Sequence, residues 1–409
     1  MFDVKKIRKD FALLDGTKTV DGKPLVYLDN GATTLKPRQV IDAEVKYYEN
    51  IGANIHRGDY ELAYNADVAY NEARRKVANF IGANDKEIVF TSGTTMSLNM
   101  VAYGYSKKLN KGDAILIDVT EHASNVLPWF NIAKEKGVEI RYIPLNENGE
   151  VTPENLKKVL TENVKLVSIT QVSNVLGYVN DIKELARLAH EVGAVFVCDG
   201  AQSTPHIKVD VKDLDVDFFV FSGHKLCAPT GIGVLYGKYD LLENMDSMLL
   251  GGGMNNTFNI LGEFSYLPTP TKFEAGTPNI AGAIGLGAAI DYLESIGMDN
   301  IEAYEKELKQ YALERLKECP NVTVYNSSST TGIIDFNIEG VPAQDAGSHF
   351  NHYGVCVRTG EHCAKLLHNY LHVDSTVRCS LYFYNTKEDI DALIDAAKEG
   401  GDFLDAFFN

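Results

Sequence analysis

The sequence predicts an α/β protein in which a large domain with a mostly parallel sheet precedes a smaller α+β domain. Between residues 88 and 236, short apolar segments rich in β-branched and aromatic residues alternate with segments of helical spacing. This alternation is typical of βαβ units. From about residue 298 the alternation stops, and strands and helices follow in a different order. We therefore expect an N-terminal segment (1–21) that packs on the small domain, a large domain (22–297) and a small domain (298–409).

The large domain is expected to begin with two helices and to continue with the alternating elements. Its predicted helices are 37–50, 67–81, 94–109, 125–136, 153–160, 182–191 and 278–296, and its predicted strands are 88–91, 114–118, 139–143, 166–171, 195–198, 216–221 and 233–236. The segment 249–278 is rich in Gly and Pro and is expected to be irregular. Long loops of this kind are often functional.

The small domain is expected to open with a charged helix. The predicted order is a helix at 300–319, strands at 322–325 and 332–338, a helix at 343–353, a strand at 355–358, a loop, a strand at 376–380 and a final helix from residue 387. No internal repeat and no low-complexity tract interrupts this pattern.

Charge and cysteine usage exclude several classes of function. The formal net charge is −17 and there is no basic cluster, which argues against nucleic acid or an anionic membrane surface as partner. No apolar run approaches the roughly 20 residues of a membrane span, and the charged N-terminus does not resemble a secretory signal. The six cysteines include no CxxC pair, so a reducing compartment is favoured. We expect a cytoplasmic protein.

Lys225 lies where a buried strand ends. The apolar run 216–221 is followed by Ser222, Gly223 and His224 and then by this lysine. A lysine beside the core is desolvated, which lowers its pKa and allows it to form a Schiff base with a carbonyl group. Ser222 and His224 add donors suited to a phosphate. Taken alone, a lysine in this position is usually a solvated loop residue.

Two further strand ends carry polar groups. Thr94 and Thr95 follow a strand and a glycine at a predicted helix start, where free N–H groups favour an anion; they could also serve only as helix caps. Asp199 ends another strand, where a buried carboxylate needs a cationic partner such as a pyridinium nitrogen. It could instead be a loop or capping carboxylate. Ligands of parallel sheets bind at these strand ends.

The remaining candidates lie in two polar loops. His122 could stack on a flat ring or move a proton, or it could be a loop histidine bonded to backbone. Arg358, His362 and Cys363 stand close together after a strand, and positive groups activate a thiol. Arg378, at the end of a later strand, could bind a carboxylate bidentately. The nearby histidines and cysteines lack the tight pairs of a zinc site, so we expect no metal.

Taken together, these segments resemble a known family, with the similarity running from about residue 20 to 395. The motifs are, in order, Y-L-D-N-G-A-T-T, T-S-G-T-T, E-H-A-S-N-V-L-P-W, V-S-N-V-L-G, D-G-A-Q-S, S-G-H-K, F-E-A-G-T-P-N, R-T-G-E-H-C and R-C-S-L-Y-F-Y-N-T. They resemble the cysteine desulfurases that supply sulfur for iron–sulfur cluster assembly. This group belongs to the class-V aminotransferases, which are fold-type I pyridoxal phosphate enzymes.

The resemblance implies a role for each matching residue. Lys225 would bind pyridoxal phosphate covalently in the large domain, and Cys363 would accept the sulfur of L-cysteine as a persulfide, releasing L-alanine. Asp199 would keep the ring nitrogen protonated, Gln202 would bond the phenolic oxygen, His122 would stack on the ring, and Thr94, Thr95, Ser222 and His224 would hold the phosphate, with Thr277 reaching it from the neighbouring subunit. Asn174 and Arg378 would hold the substrate carboxylate, with Arg358 beside them. A homodimer and a sulfur-acceptor protein are implied.

Some residues depart from the family pattern and leave alternatives open. Glu361 stands where many relatives have a histidine, and Lys365-Leu366 replaces a residue–proline pair. The alternatives on the same scaffold are a selenocysteine lyase, acting on L-selenocysteine, or an aminotransferase or epimerase. A non-catalytic module that binds a metal or a partner through its His/Cys-rich C-terminal part is a third interpretation.

Overall fold

The computed structural model describes residues 2–56 and 58–399. Residues 400–409 of the predicted small domain lie outside the described residues. The helices are α1 (Val4–Arg8), α2 (Arg38–Asn50), α3 (Glu61–Phe80), α4 (Thr94–Ser106), α5 (Leu127–Lys136), α6 (Pro153–Lys157), α7 (Ile182–Glu191), α8 (Tyr239–Glu243), α9 (Ile280–Ile296), α10 (Met298–Leu316), α11 (Ala343–His352), α12 (Lys365–Leu371) and α13 (Lys387–Glu399).

A seven-stranded sheet forms the centre of the molecule. The strands of the chain are β1 (Thr19–Val20), β2 (Lys23–Pro24), β3 (Val26–Tyr27), β4 (Ile88–Thr91), β5 (Ala114–Ile117), β6 (Glu139–Tyr142), β7 (Val164–Thr170), β8 (Val195–Asp199), β9 (Phe218–Ser222), β10 (Gly233–Gly237), β11 (Asn255–Phe258), β12 (Phe264–Tyr266), β13 (Val322–Val324), β14 (Ile333–Ile338), β15 (Val355–Cys356), β16 (Arg358–Gly360) and β17 (Thr376–Ser380). The central sheet has the order β4-β10-β9-β8-β7-β5-β6. Only β10 runs antiparallel to its neighbours, so the sheet is mostly parallel, as the sequence predicts.

Side chains of this sheet alternate between two apolar cores. On β9, Phe219 and Phe221 belong to the core beneath α9, whereas Phe218 and Val220 belong to the core beneath α4 and α5. All four side chains are fully buried. A sheet covered on both faces explains why its strands read as continuous apolar runs rather than as alternating patterns.

The C-terminal part contains a four-stranded antiparallel sheet of order β13-β14-β17-β16 with its own apolar core. Three details differ from the sequence-based expectation. The predicted strand at 355–358 is split, because β15 pairs with β3 near the N-terminus while β16 joins the small sheet. The predicted loop after it contains the helix α12, and the segment expected to be irregular contains the hairpin β11–β12.

The N-terminal segment contacts helices of both predicted domains, α13 and α9, rather than the small domain alone. Arg8 pairs with Asp389 of α13 at 2.9 Å, which fits the expected contact. Phe11, however, also packs against Tyr292 of α9, with ring centroids 6.0 Å apart. The domain bounds themselves stay a prediction.

Membrane-spanning potential is confined to one bent helix pair. Within residues 2–56 and 58–399, no single helix is long and apolar enough to cross a membrane, while α9 and α10 satisfy length and composition only together and are bent by 72°.

A buried ion pair attaches the segment before α9 to the edge of the central sheet. Both guanidinium nitrogens Nη1 and Nη2 of Arg74 bond to the carboxylate of Glu274 at 2.8 Å. Glu274 also accepts from Phe90 N at 2.8 Å and from Tyr70 Oη at 3.0 Å. All the bonding capacity of this carboxylate is thus used, which is the condition under which a buried pair is tolerated.

We expect Glu274→Ala to lower the free energy of unfolding by about 3–5 kcal/mol, because it leaves the Arg74 guanidinium buried without its partner. Urea denaturation followed by circular dichroism measures this change. Glu72→Ala is the matched control, because Glu72 forms an exposed pair with Arg75 on the same helix and exposed pairs contribute little. Equal effects of the two substitutions would contradict the assignment.

Candidate active site

One cavity collects the polar ends of the parallel strands and the C-terminal sheet. Its volume is about 240 Å³, and it lies where β7, β8 and β9 end, as expected for a ligand site of a parallel sheet. The side of the cavity opposite these strand ends comes from β16, β17 and the loop between them. It is lined by Gly31, Ala32, Thr94, Thr95, His122, Ser124, Thr170, Asn174, Asp199, Ala201, Gln202, Ser222, His224, Lys225, Arg358, His362, Cys363 and Arg378.

Lys225 presents a reactive amine to this cavity. It ends a single 3₁₀ turn, Gly223–Lys225, directly after β9. Burial lowers the pKa of Lys225 to about 8, even though the nearby Asp199 carboxylate acts in the opposite direction. A neutral amine is therefore accessible near physiological pH, which is what nucleophilic or general-base chemistry requires.

Asp199 lies at the end of β8 and is buried. Its Oδ1 accepts from Ala201 N at 2.9 Å, and burial raises the pKa of this carboxyl while Lys225 lowers it. Nearby, Gln202 donates from Nε2 to the carbonyl oxygen of Gly31 at 2.7 Å. Its Oε1 is buried and has no hydrogen-bond partner among the described residues. Both side chains thus retain bonding capacity for a polar ligand.

The N-terminus of α4 forms an anion cradle. Gly93, with φ of +147°, brings the chain close to Ser222, so that an added Cβ would lie 3.2 Å from Ser222 Oγ. That hydroxyl lies 2.8 Å from both N and Oγ1 of Thr94. No acidic residue stands in the first turn of α4. Hydroxyls, free N–H groups and the positive end of the helix together favour a phosphate.

Two neutral histidines flank the cavity. Burial lowers the pKa of His122 to about 4, and the positive charges of Lys225 and Arg378 add to this effect. His122 Nδ1 accepts from Ser124 N at 3.1 Å, which fixes the ring plane. Burial also lowers the pKa of His224 to about 4. Neutral rings can stack or accept a proton, but they add no positive charge to the cavity.

A buried arginine stands on the other side of the cavity. Arg378 donates from Nη1 to the carbonyl oxygen of Asn174 at 2.8 Å and lies 3.6 Å from Asp29, while its Nε has no described partner. A Cβ on Gly31 would come within 3.3 Å of its guanidinium. Arg358 is half exposed and bonds to Asp29 at 3.3 Å. The pair forms a positive wall suited to a carboxylate.

Two hydrogen bonds attach the loop that carries Cys363 to the segments that follow β5 and β7. Ala123 N donates to the carbonyl oxygen of Cys363 at 2.7 Å, and Asn174 Nδ2 donates to that of His362 at 2.9 Å. His362 and Cys363 both have positive φ, of 49° and 57°. The Cys363 side chain is exposed. The thiol is therefore accessible both from the cavity and from outside.

The charge of Glu361, which departs from the family pattern, is balanced locally. Its carboxylate lies 3.4 Å from the ammonium of Lys365, itself a second departure. His362 is buried, bonds to Thr376 Oγ1 at 3.0 Å, and has a pKa that burial lowers to about 2.

The cavity brings together all but one of the residues singled out from the sequence. Thr277 lies elsewhere, exposed and bonded to Asn54 Nδ2 at 3.1 Å. Sequence reasoning named His362 only as a neighbour of the thiol. It assigned no role to five other lining residues, which are Gly31, Ala32, Ser124, Thr170 and Ala201. These five contribute backbone shape or a small hydroxyl, and the sequence carries no signal for either. Within residues 2–56 and 58–399, no group of three or more His, Cys, Asp and Glu residues is placed to hold a metal ion.

Comparison with known proteins identifies the family. The family model described as aminotransferase class-V matches residues 26–393. The chain belongs to the class-V aminotransferase family. Among its relatives, a probable cysteine desulfurase of Halalkalibacterium halodurans is 47% identical, covering 98% of this chain and 99% of the relative. A cysteine desulfurase of Haloferax volcanii is 44% identical, covering 96% of each chain.

Solved structures agree with this class-V assignment. The crystal structure of the Escherichia coli cysteine desulfurase CsdA, in an S-sulfonic acid form, has a TM-score of 0.91 and 38% identity, covering 98% of this chain and 99% of that one. The apo cysteine desulfurase of Thermococcus onnurineus has a TM-score of 0.92 and 38% identity, covering 97% of each chain. The predicted family and fold class are confirmed.

We expect the amine of Lys225 to react with pyridoxal phosphate in a pH-dependent way with a midpoint near 8. At pH values below this midpoint the ammonium form cannot attack, so the trapped fraction should rise with pH. The midpoint should lie about two pH units below that of an ordinary lysine. Pyridoxal phosphate is added to the cofactor-free protein at a series of pH values, and borohydride reduction followed by peptide mass spectrometry measures the fraction of Lys225 that is trapped.

Asp199→Asn provides the control for this experiment. It removes the carboxylate that favours the charged amine, so the midpoint should fall, by about one pH unit. A midpoint near 10 in the unsubstituted protein would show that Lys225 is not desolvated.

Proposed function

We propose that this class-V protein is a pyridoxal phosphate-dependent cysteine desulfurase, which converts L-cysteine to L-alanine and leaves a persulfide on Cys363. The observation that carries the proposal is that one cavity holds both the Lys225 amine and the Cys363 thiol, although they come from different sheets. Relatives at 44–47% identity over nearly the full length bear the same activity in their names.

The residues of the cavity fit pyridoxal phosphate. The cradle formed by Gly93, Thr94 and Ser222 suits a phosphate, and Thr95, Ser124 and His224 stand beside it. Asp199 is buried and would balance a protonated ring nitrogen. Lys225 would bind the aldehyde carbon through its amine, Gln202 would bond the phenolic oxygen, and His122 would stack on the ring.

When bound, pyridoxal phosphate supplies an electron-accepting ring that stabilises negative charge on the amino acid. Arg378, with Arg358 and Asn174 beside it, orients the substrate by its carboxylate. Once the amino group of the substrate has replaced it on the cofactor, the freed amine of Lys225 would take the α-proton and hold it at Nζ, which its pKa of about 8 allows. Asp199 would keep the ring nitrogen protonated when the cofactor is bound.

Cys363 completes the reaction as a nucleophile. Its Sγ, as thiolate, attacks the sulfur of the substrate, so that a sulfur–sulfur bond forms while the carbon–sulfur bond of the substrate breaks. The electron pair of the broken bond stays with the substrate carbon, which is protonated to give alanine. Atoms balance without an external oxidant, because the thiol and cysteine become the persulfide and alanine.

We further propose a homodimer, a sulfur-acceptor protein and a cytoplasmic location. The position of Thr277 outside its own cavity supports a contribution to the cavity of a second subunit. The exposure of Cys363 supports transfer of its sulfur to an acceptor. All six cysteines are free, in keeping with a reducing compartment.

We expect Cys363→Ser to abolish persulfide formation and to lower alanine release by at least about 100-fold, because serine is a far weaker nucleophile. Mass spectrometry of the protein after addition of cysteine, without reductant, should show a gain of one sulfur on Cys363 in the unsubstituted protein only.

Cys356→Ser is the matched control, since Cys356 is a half-exposed thiol in the same part of the chain but does not line the cavity. Its alanine release should equal that of the unsubstituted protein. Wild-type turnover by Cys363→Ser would refute the proposed nucleophile. Running L-selenocysteine beside L-cysteine tests the alternative lyase.

We expect mixed dimers of Lys225→Ala and Thr277→Val chains to regain activity. In such a dimer, one cavity combines an intact Lys225 with an intact Thr277 from the other chain, whereas each variant alone has a defect in both cavities. Co-production with two affinity tags followed by an activity assay measures the recovery.

The control for the mixed dimers combines Lys225→Ala with Cys363→Ser chains. These two residues line one chain's cavity, so this mixture should regain nothing. If the first mixture is as inactive as the control, Thr277 does not act across a subunit interface.

A further inference from the structure

The loop 30–36 encloses the turn that carries Lys225. The carbonyl oxygen of His224 is the acceptor at its centre, and four donor atoms lie within 3.1 Å of it. They are Thr34 N at 3.0 Å, Thr33 Oγ1 and Thr34 Oγ1 at 3.1 Å, and Lys36 Nζ at 2.9 Å. A carbonyl oxygen has two lone pairs, so donors of the loop 30–36 alone satisfy the hydrogen-bonding capacity of this oxygen.

The same loop also holds the residue that follows the turn. Cys227, with φ of 58°, donates from its backbone N to Thr34 Oγ1 at 2.8 Å. The peptide bond between His224 and Lys225 is thus fixed on one side by the loop, and the chain two residues later is fixed by the same threonine. Because Lys225 lies between these two anchor points, its Cα has little freedom to move.

Lys36 is an unusual member of this arrangement. Its side chain is largely buried, yet among the described residues it forms no ion pair with an acidic group. Its ammonium instead donates to the carbonyl oxygens of His224 and Thr34 and to Thr33 Oγ1. A buried charge without a counter-ion is costly, and burial lowers the pKa of Lys36 to about 8. The bonds that offset this cost go to the turn and to the loop itself.

We propose that Lys36 is a positioning residue for Lys225, whose ammonium, together with Thr33 and Thr34, holds the His224 carbonyl and so fixes the turn that presents the reactive amine. The inference rests on the proposed function, since it concerns the orientation of the amine that binds the cofactor. Lys36 does not line the cavity, so it acts through the backbone and not by contact with a ligand.

The physical reason is the sensitivity of proton transfer to placement. A displacement of about 1 Å in a reacting group can cost on the order of 100-fold in rate. A short turn such as Gly223–Lys225 has few backbone bonds besides those to the loop 30–36. Leu226 N and Ala228 N donate to the Gly223 carbonyl, and Gly223 N donates to the Ile232 carbonyl. The bond from the Lys36 ammonium to the His224 carbonyl is charge-assisted and therefore stronger than these neutral bonds.

Lys36→Met tests the proposal in the holoenzyme. We expect kcat for alanine release to fall by about tenfold with KM within about twofold, because orientation and not substrate binding is lost. We also expect faster hydrogen–deuterium exchange at the amides of residues 223–228, by about tenfold, measured by mass spectrometry. Lys36→Arg, which keeps the positive charge, should restore part of both.

Lys272→Met is the matched control, since Lys272 is also a buried lysine that donates to a backbone carbonyl, that of Glu243 at 2.8 Å, but at a distance from the cavity. It should leave kcat and the exchange of 223–228 unchanged. Unchanged kcat and exchange in Lys36→Met overturn the proposal, and a loss of thermal stability alone, without the kcat and exchange effects, also overturns it.

If Lys36→Met does not fold, Thr33→Val replaces it, because valine has the shape of threonine but removes one donor to the His224 carbonyl. The same two readouts then decide. The inference and the proposed function fail in different ways: if the unsubstituted protein releases no alanine from cysteine, the function is wrong, whereas an active protein that is indifferent to Lys36 and Thr33 refutes only the inference.

Discussion

The desolvation of Lys225 is the constraint on which the rest of the site depends. An amine buried this deeply, with a pKa of about 8, exists only because the central sheet is covered on both faces and because β9 delivers the residue directly from the core. The cost of burying it is reduced by Asp199 across the cavity. The anion cradle, the neutral histidines and the loop 30–36 that bonds to the His224 carbonyl all surround an amine whose pKa is set by this burial.

The thiol of Cys363, unlike the amine of Lys225, does not depend on burial. Cys363 is exposed, and its place in the site depends on two backbone-directed hydrogen bonds, from Ala123 N and Asn174 Nδ2. The amine thus lies inside the cavity at the end of a core strand, whereas the thiol lies exposed on a loop at its rim. This division suits the proposed reaction, in which the amine acts only within the cavity and the sulfur on the thiol is passed on to an acceptor.

The sequence allowed much of the fold to be predicted, because a doubly covered parallel sheet leaves apolar strands followed by polar ends. Asp199, Ser222 and Lys225 could be found at those ends for that reason. The helix α12 was missed because its seven residues are too few to show a clear periodic pattern. Residues such as Gly31 and Thr170 escaped notice because they contribute backbone shape or a small hydroxyl, and nothing in their local sequence indicates which loop will lie opposite. The role proposed for Lys36 depends on contacts with a turn 188 positions away.

The two consecutive left-handed residues at the thiol loop, His362 and Cys363, have a thermodynamic consequence. A residue other than glycine in this conformation stores roughly 1–3 kcal/mol of backbone strain, and the docked loop holds two of them side by side. Undocking releases that energy and so offsets part of the loss of the hydrogen bonds to Asn174 and Ala123. Undocking of this loop therefore costs less free energy than its hydrogen bonds alone would indicate.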